Sequence, residues 1–350
     1  MNRIYPILLS AIVLLIGVAC SKAEHESPPI EEPTVICFGS TAATTSTEGR
    51  ASTLIESTDQ AAFRARPFAV YGDWIADQTS GGRYEIFRNQ QVIYDGAGDS
   101  PSGWNYTPPQ RWQSFGEYEF RAFWPATATV MGTATAQTLA LEYSMISSEE
   151  DLMVAYTRCV AGNNGQPVDL RFHHTLAAVC VKFKKGASPL NYRIKNLYFT
   201  SLYYIGALPY DAIESDPDLS SSWVLPGSRS YVDPVDVLLS ERIREWSGER
   251  AITSSEADFT AHYDLMLPQS LLVTGSTPKP AITFTLEVDW DTANPDVVTT
   301  TVALPTETVN RWEAGKRYTY LVTAQPDKVD IEVRTSKWDE VDVTGDDIIF

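Results

Sequence analysis

Apolar residues in this chain recur at every second position, and that period constrains the fold more than any other feature. Tyr118, Phe120, Ala122 and Trp124 alternate with Glu117, Glu119 and Arg121, the pattern of a half-buried strand. Ile282, Phe284, Leu286, Val288 and Trp290 alternate with Thr283, Thr285, Glu287 and Asp289, and Val168, Leu170 and Phe172 with Asp169 and Arg171. β-Branched and aromatic residues fill these runs, and clusters of Gly, Pro, Asn and Asp divide them. Asn163-Asn164-Gly165 and Asp95-Gly96-Ala97-Gly98 have turn chemistry, because Asn and Gly tolerate positive φ. Helical periodicity is scarce. Its best candidate is Pro234 to Trp246, where Val237, Leu238, Leu239 and Ile243 would share one face. The expectation is an all-β protein built of sandwiches.

The N-terminus carries a different signal. Arg3 provides a basic start, Ile4 to Val18 form an apolar run, and Val18-Ala19-Cys20 closes it. Such an arrangement describes an export signal, and the run is short for a transmembrane helix, which needs roughly 20 residues. The cysteine after the cut resembles the lipobox of bacterial lipoproteins, which implies a lipid on Cys20; Gly17 stands where that motif usually has Leu. The alternative is a secreted protein with an incidental cysteine. Residues 1–19 would then be signal peptide and 20–33 a proline-rich, acidic tether with no apolar periodicity. Ser21-Lys22-Ala23-Glu24 resembles the surface-export signal of lipoproteins from Bacteroides-like bacteria. Lys184-Lys185-Gly186-Ala187-Ser188-Pro189 breaks the strand pattern, dividing the rest into an N-terminal domain, 34–186, and a C-terminal domain, 187–350. No exact repeat is visible, but the two halves are alike enough in style to be related sandwiches.

Composition narrows the function. With a net charge of −18 the chain lacks the basic face that nucleic acid requires. Beyond Cys20 the cysteines are Cys37, Cys159 and Cys180, none at metal-ligand spacing, so no metal or other cofactor is expected. Cys159 and Cys180 either pair or stay free, and pairing leaves one over. His174 shares parity with Leu170 and Phe172, which points it to the core as a hydrogen-bonded histidine. Val179, Val181 and Phe183 lie on the other parity, so a β-bulge near Leu176 to Ala178 is expected. No histidine has a recognisable nucleophile or ligand partner, which argues against an enzyme.

The aromatic residues supply the family. Trp104-Asn105-Tyr106, Trp112, and Phe123-Trp124-Pro125 after a strand resemble the fimbrillin-like proteins of Bacteroidales. The resemblance continues through Asp151-Leu152-Met153-Val154-Ala155, Phe172-His173-His174-Thr175-Leu176-Ala177 and Leu265-Met266-Leu267-Pro268-Gln269. It ends with the segment Trp312 to Tyr320 and with Trp338. The resemblance implies two β-sandwich domains of transthyretin-like type and a pilus subunit or surface adhesin without enzyme activity. Trp104, Tyr106, Trp112 and Trp124 read as core anchors; the alternative is a platform on which sugars stack.

The resemblance also implies a mechanism and an address. A lipidated precursor reaches the outer-membrane surface, a trypsin-like protease cuts after an arginine beyond the first strand, and another subunit's strand fills the groove left behind. Here Thr34 to Phe38 is the expected first strand and Thr41 to Glu48 an accessible run of small polar residues. Arg50 is the expected cut, although the family more often has Thr where Gly49 stands, and an ordinary loop arginine is the alternative. Arg64 lies in a more structured stretch, and Arg66 precedes Pro67, where such proteases cut poorly. At the far end, Val341 and Val343 would pair internally, leaving Ile348, Ile349 and Phe350 as the candidate donor strand. Expected partners are other pilus subunits, the outer membrane through the lipid anchor, and a host or bacterial surface ligand. The competing function is an uncut surface lipoprotein that binds a glycan or other nutrient.

Overall fold

The computed structural model describes residues 33–42, 60–77, 82–96, 102–209, 222–225, 242–255, 257–258, 263–273, 278–289, 291–326 and 329–338. Strand β1, Phe38–Ala42, leads to a short helix α1, Gln60–Arg64. Then come β2, Phe68–Asp77; β3, Gly82–Tyr94; β4, Trp104–Asn105; and β5, Glu117–Trp124. They are followed by β6, Thr129–Val130; β7, Ala140–Ser144; β8, Met153–Val160; and β9, Val168–His174. Seven of these form one sheet in the order β1-β9-β8-β5-β2-β3-β4. All its pairings are antiparallel except β1 with β9, which run parallel.

The chain leaves this sheet after His174. β10, Ala177–Lys185, β11, Tyr192–Thr200, and β12, Ile205–Pro209, come next. Then come β13, Ile243–Ile252; β14, Ala257–Asp258; β15, Asp264–Met266; and β16, Gln269–Ser270. The last are β17, Ala281–Val288; β18, Asp296–Ala303; β19, Arg311–Trp312; β20, Lys316–Ala324; and β21, Val329–Lys337. β10 pairs parallel with β20 at the heart of a five-stranded sheet, and β13-β11-β17-β18 make a four-stranded one. β12, β7 and β6 form a third, and β16 pairs with β19. The protein is all-β, as the alternation predicts. The sequence break near Gly186 falls between β10 and β11, and residues from Thr34 onward pack as one unit.

Burial follows the predicted parity closely in β9, where Val168, Leu170, Phe172 and His174 are buried and Asp169 and Arg171 exposed. Three expectations need correction. β5 is not half-buried: from Tyr118 to Trp124 both faces are covered, with Glu119 and Arg121 among the buried residues. Phe123 sits in the polar phase of that strand and joins the second core, so β5 is a central strand with cores on both sides. The parity change after His174 is not a bulge within one strand; β9 ends there and β10 begins in another sheet. The described part of the expected helix at 234–246 is strand, since Ile243 and Trp246 lie in β13, while 234–241 fall outside the described residues.

Two cores result. The first is aromatic, joining Phe38, Phe68, Phe87, Trp104, Phe120 and Trp124 across one face of the seven-stranded sheet. Gly72 is needed here, because a Cβ would stand 2.9 Å from the Phe120 ring and 3.1 Å from that of Phe87. The second is larger and mixes aliphatic residues with Trp312, Tyr318 and Tyr320, and it also takes Ala69, Tyr71 and Phe123 from the far face of the first sheet.

Candidate functional site

The residues around the N-terminal strand build the site. Thr34 to Ile36 run beside residues 110–112: Ile36 N–H donates to Gln110 O at 2.9 Å, Trp112 N–H to Thr34 O at 3.0 Å, and Val35 bridges Arg111. The Tyr106 hydroxyl donates to Ile36 O at 2.7 Å, and Ser102 Oγ donates to Phe38 O. Burial pushes the Tyr106 hydroxyl up to about 12, opposed by its hydrogen bond to Gln110. On the other side, Val168 N–H donates to Cys37 O at 2.7 Å and β1 pairs with β9 from Phe38↔Val168 to Ala42↔Phe172. One segment, residues 34–42, is therefore bonded on both flanks, to the 102–112 stretch and to β9.

Its side chains close the first core. Ile36 and Phe38 are fully buried. The Phe38 ring lies 5.5 Å from Phe120, 5.4 Å from Phe87 and 5.7 Å from Tyr106. Each such side chain stabilises by about 1.5–3 kcal/mol through burial alone. The expected first strand, Thr34 to Phe38, is corrected in its bounds: regular pairing begins at Phe38 and reaches Ala42, two residues into the run expected to be loose, while Val35 makes an isolated bridge to Arg111. Cys20, Arg50, Ile348, Ile349 and Phe350 lie outside the described residues.

The second half builds the same corner from its own interior. Ser270 pairs with Arg311 and Gln269 with Trp312, and Leu271 N–H donates to Asn310 O at 2.8 Å. Gln110-Arg111-Trp112-Gln113 thus corresponds to Asn310-Arg311-Trp312-Glu313, with Thr34-Val35-Ile36 in the place of Gln269-Ser270-Leu271. Six residues after each tryptophan a buried tyrosine turns its hydroxyl back: Tyr118 accepts from Gln113 N–H at 2.7 Å, and Tyr318 from Glu313 N–H at 2.9 Å. Sequence reading finds each aromatic run but not this equivalence, whose visible signal is the shared Arg-Trp with Tyr six residues on.

The other singled-out residues serve packing. Trp104, Trp112 and Trp124 are buried and Tyr106 packs against the same core, which leaves no open platform of these rings. His174 Nδ1 lies 2.8 Å from Asp151 Oδ2, and its ring stacks on Trp338 at 3.7 Å. Cys37, Cys159 and Cys180 form no disulfide with one another, and burial pushes the Cys159 thiol up to about 11. Among the described residues no group of His, Cys, Asp or Glu is placed to hold a metal ion, and no helix is long and apolar enough to cross a membrane. The charges missed by sequence reading are Asp73, Glu119 and Arg121, on the face of the first sheet turned from the aromatic core. Arg83 donates to Asp73 at 3.0 Å and to Glu119 at 2.5 Å, and Arg121 to Glu119 at 3.4 Å. Burial pushes the Glu119 carboxyl up, but the Arg83 hydrogen bond and the charges of Arg83 and Arg121 outweigh it and hold it below the usual value. Burial also lowers the Arg121 guanidinium to about 10, partly offset by Glu119.

The comparisons with known proteins agree with this architecture. The fimbrillin-like family matches residues 50–338, most of the chain, so the protein belongs to that family. A fimbrial protein from Bacteroides vulgatus is similar in structure at 14% identity with a TM-score of 0.54, covering 87% of this chain and 99% of its own. A candidate cell adhesion protein from Bacteroides ovatus shows 18% identity and a TM-score of 0.49, covering 89% of this chain and 100% of its own. No curated protein sequence matches. The family match begins at residue 50, so the segment 34–42 that closes the aromatic core precedes it.

Proposed function

We propose that this chain is a surface lipoprotein of the fimbrial or adhesin kind, anchored to the outer membrane through Cys20 and assembled by protease-triggered donor-strand exchange. Its role is structural rather than catalytic. One observation carries the reading: the first core is closed by an N-terminal segment ahead of Arg50, whereas the equivalent corner at Trp312 is closed from within the chain. A cut after Arg50 would separate residues 34–42 covalently from the sheet they complete. Their loss would expose a groove lined by Phe87, Tyr106 and Phe120 and flanked by unpaired backbone, which an extended strand of another subunit satisfies. Ile348, Ile349 and Phe350 are the proposed donor residues. The other nearby arginines are engaged: Arg64 lies in α1, and Arg66 pairs with Glu150 at 2.9 Å. The Bacteroides vulgatus neighbour is named as a fimbrial protein, in keeping with this role.

N-terminal sequencing of protein sheared from the cell surface tests it. The expected mature terminus is Ala51, and Arg50→Ala should leave a lipidated chain that does not polymerise. Polymers whose subunits still begin at Cys20 would refute strand exchange and favour the uncut surface lipoprotein that binds a ligand.

A further inference from the structure

The four-stranded sheet ends in two unlike edges. β13 carries Arg244, Glu245, Glu249 and Arg250 and slips register twice against β11. Charges and bulges of this kind keep sheet edges from joining one another. β18 has neither. It pairs with β17 without a register break, and from Val297 to Ala303 it holds no charge, glycine or proline. Val297 and Val298 are 62% and 46% exposed. Among the described residues nothing pairs with its outer side. Val298, Thr300 and Val302 stand opposite Leu286, Phe284 and Ile282, which are buried in the second core. The apolar face of the sheet therefore runs out to solvent along this strand.

We infer that β18 is a self-association edge, to which a second copy of this chain adds its own β18 antiparallel. Facing residues in an antiparallel pair must both turn toward the partner or both away from it. Successive residues alternate, so only positions of like parity can face each other. A register centred on Thr300 meets this condition. It sets Thr300 opposite Thr300, Thr299 opposite Thr301, Val298 opposite Val302, and Val297 opposite Ala303. These facing pairs are β-branched or small, the kind that favours cross-strand contact. Charge does not select this partner, since a net charge of −18 repels a second copy; the fit of the strand to itself does. A chain of net charge −18 can meet itself only where its acids stay apart, and this register holds the two Asp296 carboxylates roughly 26 Å from each other. The contact is two-fold and closed, so it yields a dimer and not a fibre. An eight-residue edge is small for an interface, and the dimer is correspondingly weak.

Sedimentation velocity tests the proposal on the full-length chain carrying Cys20→Ala, so that no lipid drives association. A concentration-dependent dimer is expected below roughly 500 μM, and raising the salt should tighten it by screening like charge. Thr300→Lys places two ammonium groups opposite each other and should weaken the dimer by about tenfold or more; Thr300→Glu should do the same. An equimolar mixture of the two should restore it, because lysine then meets glutamate. Val297→Lys, at an exposed position, should also weaken it and serves if a Thr300 variant melts early. A chain monomeric throughout this range would overturn the inference, as would a dimer indifferent to these substitutions. Failure of the mixture to recover would overturn the register.

Discussion

The two tryptophan corners are alike in chemistry and unlike in where their closing strand comes from. At Trp312 the partner is Gln269-Ser270, flanked on both sides by chain that belongs to the second core. At Trp112 the partner is Thr34-Val35-Ile36, at the N-terminal margin of the described fold and ahead of the family's matched region. An interior strand cannot leave without unravelling the strands on either side of it, whereas a terminal one can be cut away with its neighbours intact. The difference teaches that one corner plan can be closed from within the chain in one half and from its N-terminal margin in the other; on the proposed function only the second is exchangeable.

Truncating the tryptophans tests how firmly each corner is closed, and carries the largest expected effect. Trp312 is fully buried and its indole donates to Tyr320 Oη at 2.9 Å, so Trp312→Ala should cost about 3–5 kcal/mol in urea unfolding. Trp112 is 5% exposed and its ring lies 4.6 Å from that of Tyr118. Trp112→Ala should cost nearly as much while residues 34–42 are in place. A cost below about 1 kcal/mol at Trp112 would mean that the N-terminal segment closes its corner only loosely.

How much of the fold is legible in the sequence depends on which residues obey a simple period. β9 obeys it and reads correctly, down to the inward His174. β5 does not, because a strand packed on both faces breaks the inside–outside alternation, and its Glu119 and Arg121 pass for surface charges. The apolar run marks the neighbourhood of the first strand but not its extent, since Gly39, Ser40 and Thr41 stand in register with β9 and composition carries no trace of that. The corner equivalence is hidden for a related reason. Arg111 and Arg311 match by name, but their partners, Val35 and Ser270, share only backbone geometry.

The buried charges sharpen the comparison further. Aligned on Tyr118 and Tyr318, the first half has Glu119 and Arg121 where the second has Thr319 and Leu321. Arg121→Ala should cost about 3 kcal/mol, because it removes one partner of a buried ionic group. Changing both residues to their counterparts, Glu119→Thr with Arg121→Leu, removes the charges together and should be far milder, even stabilising. pH separates the two proteins. The folded Glu119 carboxyl is held below its ordinary value, so its contribution is present above the unfolded pKa and is lost as pH falls through the folded one. Wild type should therefore lose stability below about pH 4.5 more steeply than the double variant. Equal acid sensitivity in both would assign the loss to other carboxylates.

The smallest expected effect is the most direct check that the two corners are one device. Tyr118→Phe removes the acceptor of the Gln113 N–H, and Tyr318→Phe that of the Glu313 N–H, at 2.7 and 2.9 Å. Neither changes the volume of a buried ring, so cavity terms are small and the lost hydrogen bond dominates. Each should cost about 1 kcal/mol, and the two should add, since they lie in separate cores with no shared partner. Urea midpoints of the two single variants and the double variant measure all three numbers. Equal and additive costs mean that the hydroxyl does the same work in both halves. A cost confined to Tyr318 would mean that the first corner is pinned instead by the N-terminal segment through Trp112 and Tyr106. The corner plan would then be shared in geometry but not in energy.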